Sequence, residues 1–110
     1  MQDDFTKLRV DDGTITKLCV VDADVQLHLR NWRDQMETVT FRDVIGLEAY
    51  SIVNADLSHA TETESDPLLE RCCAVGQEQM TEFRCYAFFS VWSEQPILKV
   101  VARSFAVENT

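Results

Sequence analysis

The segment FRCYAFFSVW, residues 83–92, is the most apolar run of the chain and decides the fold class. Its apolar side chains occupy both parities, so both faces of the predicted strand are apolar. Such a pattern is typical of a central strand covered on both sides, or of a strand at a dimer interface. Residues 93–96 (SEQP) predict a turn, and Ile97 to Val107 predicts a last long strand. Phe83 to Val107 is therefore expected to form a β-hairpin.

The first 42 residues carry three strand-like runs with short connections. Thr14 to Val21 is rich in β-branched residues, and residues 21–24 (VDAD) predict a tight turn. Val25 to Leu29 alternates apolar with polar residues, which indicates one buried and one solvated face. Thr38 to Arg42 repeats that alternation. Three consecutive short strands predict an antiparallel meander.

The middle of the chain contains one helix signal. Asp66 followed by Pro67 predicts a helix start, with an acidic N-cap and proline at the first helical position. Gly76 is the expected end, although the helix could resume through Gln77 to Glu82. The expected buried stripe consists of Leu68, Leu69, Cys72 and Val75. We expect Phe89 and Val91 of the apolar run to be buried against this helix.

The remaining segments are less regular. Leu47 to Val53 fits a further strand or a partly ordered crossing, and Ala55 to Ser65 reads as polar and irregular. The 110 residues therefore predict one α+β domain, residues 1–110. It would consist mainly of an antiparallel sheet of about five or six strands, with one short helix between an N-terminal meander and a C-terminal hairpin.

Charge is distributed unevenly along the chain. The whole sequence has 19 acids and 10 bases, a net charge of −9. Residues 43–70 hold seven acids and no lysine or arginine, and without them 12 acids face 10 bases. An acidic field attracts cations and a basic partner, and it repels nucleic acid. We call residues 43–70 the acidic segment.

Several function classes are disfavoured by what the sequence lacks. It has only three glycines and no phosphate-binding, zinc-protease or hydrolase nucleophile motif, so we expect neither an enzyme nor a cofactor. The negative charge disfavours nucleic-acid binding. No window approaches the roughly 18 apolar residues of a membrane span, and residues 1–5 do not resemble a secretion signal. A cytoplasmic protein is the expectation.

The four cysteines allow disulfides, metal ligation or free thiols. No C-x-x-C pair exists, and Cys72 and Cys73 are adjacent, which suits neither a shared metal nor a simple bridge. Cys19 and Cys85 lie in apolar runs, where cysteine behaves as a small hydrophobe. We therefore expect reduced thiols, with Cys19 and Cys85 buried and inert.

His59 is the other residue that could carry chemistry. It lies among Asp56, Glu62, Glu64 and Asp66, so a divalent metal site or a general base is one interpretation. A solvated loop histidine is the other, because the spacing matches no known ligand pattern. His28 alternates with apolar residues and is expected on the solvated face of its strand.

Aromatic residues are candidates for contacts with a partner, because aromatic side chains dominate interface hot spots. Each could equally pack in the core. The candidates are Trp32, Tyr50, Tyr86 and Trp92.

The sequence VTFRDV, residues 39–44, followed by Leu47, resembles an "aromatic-x-acid-aliphatic" strand end of β-rich bacterial and immunity-type families. The resemblance is at the level of a class and transfers no functional residue. Immunity proteins are small acidic inhibitors that neutralise a basic toxin such as a nuclease, and an acidic surface accelerates that encounter.

The first functional hypothesis is therefore a non-catalytic module that binds a basic protein partner, such as a toxin domain, and binds neither nucleic acid nor membrane. Its expected partner-binding residues are Glu48, Asp56, His59, Glu62, Glu64, Asp66 and Glu70. Two alternatives are a homodimeric adaptor whose seam is the strand from Phe83 to Trp92, and a small metal-binding enzyme.

Overall fold

The computed structural model describes Phe5 and residues 8–109. Residues 1–4, 6, 7 and 110 lie outside the described residues. The prediction that residues 1–5 are not a secretion signal therefore falls mostly outside the described residues. The described chain folds into antiparallel β-sheets and one α-helix, as the α+β prediction requires.

The strands form two four-stranded sheets. Sheet I has the order β1-β2-β3-β8 and consists of β1 (Thr14–Val21), β2 (Asp24–Arg30), β3 (Met36–Arg42) and β8 (Ser104–Asn109). Sheet II has the order β4-β7-β6-β5 and consists of β4 (Gly46–Ala49), β7 (Pro96–Ala102), β6 (Arg84–Ser90) and β5 (Leu57–Thr63). The predicted meander is confirmed by β1, β2 and β3, which are neighbours in chain order.

The prediction of five or six strands is wrong, because the described chain has eight. The expected last strand, Ile97 to Val107, divides at Arg103 into β7 and β8, which belong to different sheets. The segment Ala55 to Ser65, expected to be irregular, contains the edge strand β5. The segment Leu47 to Val53 is predicted as a strand or as a partly ordered crossing, and only its first residues, in β4, form a strand.

Two bent strand pairs join the sheets. β3 pairs with β8 in sheet I, and β4 pairs with β7 in sheet II. The chain bends between β3 and β4 and again between β7 and β8. Arg103 lies at this bend, where its N–H donates to the Arg42 carbonyl at 3.0 Å. The continuous ribbon therefore folds one sheet over the other.

The main core lies between the two sheets. Aromatic rings occupy its centre, and the Phe41 and Tyr86 ring centroids are 5.2 Å apart. Apolar side chains from the inner faces of both sheets complete this core, including Leu27, Val39 and Val100. No buried polar or charged residue occurs in the described part of the chain.

Helix α1 (Pro67–Gly76) begins where predicted. The Asp66 carboxylate accepts a hydrogen bond from the Leu68 N–H at 2.8 Å, which satisfies one of the free donors of the first turn. Gln77 ends the helix in the left-handed region, with φ 57°. The α-helix ends at Gly76, and the alternative of a helix that resumes through Gln77 to Glu82 is limited to a short 3₁₀ turn, Met80–Glu82.

The buried stripe of α1 differs from the expected one. Leu68 and Leu69 are buried, but Cys73 takes the place predicted for Val75, which is 82 % exposed. The stripe packs on the outer face of sheet II, against Phe83, Cys85 and Val101. Phe89 and Val91 do not belong to this cluster, so the expectation that they are buried against the helix is wrong.

Strand β6 is the central strand that its two apolar faces predict. Tyr86 and Phe88 face the core between the sheets, and Cys85 faces the helix. Both faces are thus covered within one chain. The part of the predicted dimer seam from Cys85 to Phe88 is therefore buried within the chain, whereas Val91 and Trp92 at its end are exposed. The homodimer itself stays a prediction.

Aspartates serve the turns of this glycine-poor chain. Asp22 and Asp43 adopt positive φ angles of 56° and 54° at the β1–β2 turn and the β3–β4 bend. Short polar side chains tolerate this left-handed region better than other non-glycine residues. Part of the acidic composition therefore serves backbone geometry.

Candidate functional site

The acidic segment does not form one acidic surface. Three of its carboxylates make ion pairs with basic residues of the C-terminal part of the chain. These pairs are Asp43–Arg103 at 3.4 Å, Glu64–Arg84 at 3.0 Å and Asp66–Lys99 at 3.1 Å. Tertiary folding thus offsets much of the charge that is concentrated along the sequence.

The Asp66 carboxylate makes contacts within the fold. Its carboxylate caps α1 and contacts Lys99 Nζ through both oxygens, at 3.1 and 3.2 Å. Burial alone would lower the pKa of Lys99, but the hydrogen bond and charge of Asp66 outweigh it and raise that pKa. The Asp66 carboxylate is therefore engaged within the chain, and its expected role in partner binding stays a prediction.

Cys85 lies beside this pair on the outer face of sheet II. Burial raises the pKa of its thiol to about 12, and the neighbouring Asp66 carboxylate adds to the rise. A thiol with such a pKa stays protonated and is a poor nucleophile. All four cysteines are free, and Cys73 is buried as well. Cys19 is only half-buried, so its expected burial is wrong.

The residues of the hypothetical metal site are not brought together. His59 stacks on Phe89 with ring centroids 4.3 Å apart, and its Nδ1 is 2.8 Å from Ser58 Oγ. Glu62 pairs with Tyr86 in the strand register, so it lies on the opposite face of β5. Within Phe5 and residues 8–109, no group of three or more potential ligands is placed to hold a metal ion.

The remaining acids of the predicted binding set are scattered. Asp56 precedes β5 and accepts a hydrogen bond from Thr14 Oγ1 at 3.0 Å, where the edges of the two sheets meet. Glu48 lies on β4 opposite Lys99. Glu62 and Glu70 are exposed, and neither takes part in an ion pair among the described residues.

The aromatic candidates divide clearly between core and surface. Tyr86 is fully buried in the core. Trp32 is half-exposed and lies beneath the Arg33 guanidinium, 4.6 Å from the ring centroid. Tyr50 and Trp92 are 61 % and 90 % exposed. Both belong to the end of the molecule where β6 turns into β7.

We define the tip surface as Tyr50, Val53, Val91 and Trp92, from the 50–56 loop and the β6–β7 turn. The Val91 N–H donates to the Asp56 carbonyl at 3.1 Å, and the Tyr50 N–H donates to the Ile97 carbonyl at 2.9 Å. These bonds hold the loop against the hairpin. An open cleft beside them is lined by Glu48, Tyr50, Ser93, Gln95 and Pro96, among others.

The tip surface combines exposed apolar side chains with carboxylates. Glu94 lies in the same turn as Trp92, and Glu48 lines the adjacent cleft together with Lys99. Neither carboxylate forms an ion pair within the described residues. Sequence reasoning named Tyr50 and Trp92 only as two of four aromatic candidates. The polar residues around Trp92, in the sequence VWSEQ of residues 91–95, were the available signal that this ring lies in a turn.

Comparison with protein-family models, with curated proteins and with solved structures finds no match for this chain. The one α-helix of the described residues has 10 residues, and no helix there is long and apolar enough to cross a membrane.

Proposed function

We propose that this protein is a non-catalytic, cytoplasmic protein-binding module that docks on a basic protein through the tip surface. The observation that carries the proposal is the nearly complete exposure of Trp92, at 90 %, in the β6–β7 turn. Glu94 belongs to the same turn, and the turn borders a cleft lined by Tyr50 and Glu48. Exposed large apolar groups rimmed by polar residues mark interaction sites.

The physical roles of the two components differ. Tryptophan and tyrosine bury a large area at a small cost in side-chain entropy, so they supply most of the binding free energy. The carboxylates favour a basic partner and increase the association rate. The net charge of −9 acts in the same direction at longer range.

The kind of partner that fits best is a basic toxin domain such as a nuclease. The active site of a nuclease attracts phosphate, so its surface is positively charged and complementary to this chain. An immunity protein acts by occupying such a surface, and the class-level resemblance of residues 39–47 favours the same role. A homodimer is the competing use of the tip surface.

The test is binding of the purified chain to a panel of basic nuclease toxin domains, with inhibition of nuclease activity as the second readout. We expect at least one domain to be bound and inhibited, and Trp92→Ala to weaken that binding roughly thirtyfold, as for a hot-spot residue. Trp32→Ala is the matched control, because Trp32 is also partly exposed but lies outside the tip surface and stacks on Arg33.

The electrostatic effect on the association rate is tested separately by replacing Glu48, Glu62 and Glu94 together with glutamine. The association rate should fall most at low salt, where screening is weakest. Asp66 is left intact in this variant because it caps α1. Absence of binding across the panel, equal effects of the two tryptophan substitutions, or concentration-dependent dimerisation abolished by Trp92→Ala would each overturn the proposal.

A further inference from the structure

We propose that the free edge of β4 binds an extended basic segment of the partner as a fifth strand of sheet II. The inference rests on the proposed function, because it specifies how a second part of the same basic partner is held. Three features of the described residues support it: unpaired backbone groups, an adjacent apolar cleft and the local charge.

The backbone argument comes from the register of β4 with β7. Tyr50 donates to the Ile97 carbonyl, and hydrogen-bonded pairs alternate along an antiparallel ladder. Glu48 and Lys99 therefore form the next hydrogen-bonded pair, and Leu47 and Ala49 direct their N–H and C=O groups away from β7. Because β4 is the outermost strand of sheet II, these groups have no strand partner within the described part of the chain.

The apolar argument comes from a cleft beside that edge. It lies between β4 and the β1–β2 turn and is lined by Val20, Val25, Val44 and Leu47, among others. Val20 is 65 % exposed although it pairs with Val25, which belongs to the core. The cleft thus opens onto the space between the sheets. It fits one aliphatic side chain of an added strand.

The charge argument selects the occupant. Asp22 and Asp24 line the same cleft, and Glu48 lies on β4 itself. Arg42 pairs with Asp24, but Asp22 and Glu48 form no ion pair among the described residues. An added strand alternates its side chains between two faces, so an aliphatic residue can enter the cleft while the flanking lysine or arginine residues lie on the face of Glu48. Asp22 and Asp24 add to the local negative charge.

The probe is a peptide of about six residues in which valine and lysine alternate, a length typical of one strand. Fluorescence anisotropy measures its binding, and hydrogen exchange reports on the Leu47 and Ala49 amides. We expect saturable binding and at least about tenfold slower exchange at both amides, because each gains a hydrogen bond. A valine–glutamate peptide should not bind.

Two controls separate strand addition from simple charge attraction. Methylating alternate backbone nitrogens of the peptide keeps its charge but removes donors, and it should weaken binding. Ala49→Pro removes an outward N–H of β4 without breaking the β4–β7 ladder, and an edge strand tolerates proline. It should weaken binding about fivefold to tenfold, whereas Ala49→Val, which keeps the N–H, should not.

The outcomes are distinguishable from those of the proposed function. Equal binding of the methylated peptide, or unchanged exchange at Leu47 and Ala49, would overturn strand addition and leave docking through Trp92 standing. Trp92→Ala should leave peptide binding unchanged. If Trp92→Ala has no effect on the nuclease panel while Ala49→Pro does, docking at the tip surface is wrong and strand addition stands.

Discussion

Asp66 and Lys99 form an ion pair in which both side chains are largely withdrawn from solvent, with 14 % and 20 % of their surface exposed. The same carboxylate caps α1, so one residue ties the helix start to the outer face of sheet II. Ion pairs with reduced exposure are sensitive to the loss of one partner, because the other charge is left without compensation.

We predict that Asp66→Ala lowers the free energy of unfolding by about 2–3 kcal/mol, from the lost cap and the stranded Lys99 charge. Urea denaturation measures the change. Glu70→Ala, on the same helix but exposed, is the control and should cost less than about 0.5 kcal/mol. Equal effects of the two substitutions would mean that the Asp66 contacts contribute nothing.

Phe88 and Phe89 are adjacent but lie in different environments. Phe88 is fully buried between the sheets, whereas Phe89 is half-buried beneath His59. Phe88→Ala should therefore cost about 3–5 kcal/mol, as for other core aromatics. Phe89→Ala should cost about 1 kcal/mol. Thermal or urea unfolding of both variants checks the orientation of β6, and the reverse order would show that its two faces are misassigned.

Gly46 is required by close packing between β4 and α1. A Cβ atom at this position would overlap the Cys72 Sγ atom. Gly46→Ala should destabilise the fold by about 1–3 kcal/mol through overpacking. Cys72→Ala in the same chain should restore most of that loss, because it removes the overlapping atom. A double-mutant cycle measures this coupling, and strictly additive effects would contradict the contact.

Stability should decrease at alkaline pH through Cys85. Its pKa is raised from 9.0 to about 12, so above pH 9 the unfolded chain loses the thiol proton while the folded chain keeps it. The unfolded state then binds fewer protons, and the free energy of unfolding falls as pH rises between these values.

The measurement is the slope of unfolding free energy against pH from 9 to 10 for the natural chain and for Cys85→Ser. Serine keeps a donor for Asp66 but does not titrate in this range. The variant should show the shallower slope, and identical slopes would contradict the raised pKa of the Cys85 thiol.

Signals contained in consecutive residues predicted structure well. The period of two from Val25 to Leu29 identified β2, and the pair Asp66-Pro67 located the start of α1. Both signals are local, because side-chain alternation and helix capping involve only neighbours along the chain. The two apolar faces of residues 83–92 likewise indicated a central strand.

Strand β5 shows where local patterns fail. Its sequence LSHATET is polar on both faces, because an edge strand leaves much of its surface in solvent. The division at Arg103 was equally hidden, since β7 and β8 read as one continuous strand until the packing of the two sheets bends it. Neither feature changes the local alternation from which strands are predicted.

Composition along the sequence determined that this chain is acidic, and local patterns determined most of its strands and its helix. Only the folded chain decided which acids remain available to a partner. Arg84, Lys99 and Arg103 follow the acidic segment in sequence but lie against Glu64, Asp66 and Asp43 in space. Electrostatic interaction depends on spatial distance, so contacts between residues far apart in the chain set the charge of the final surface.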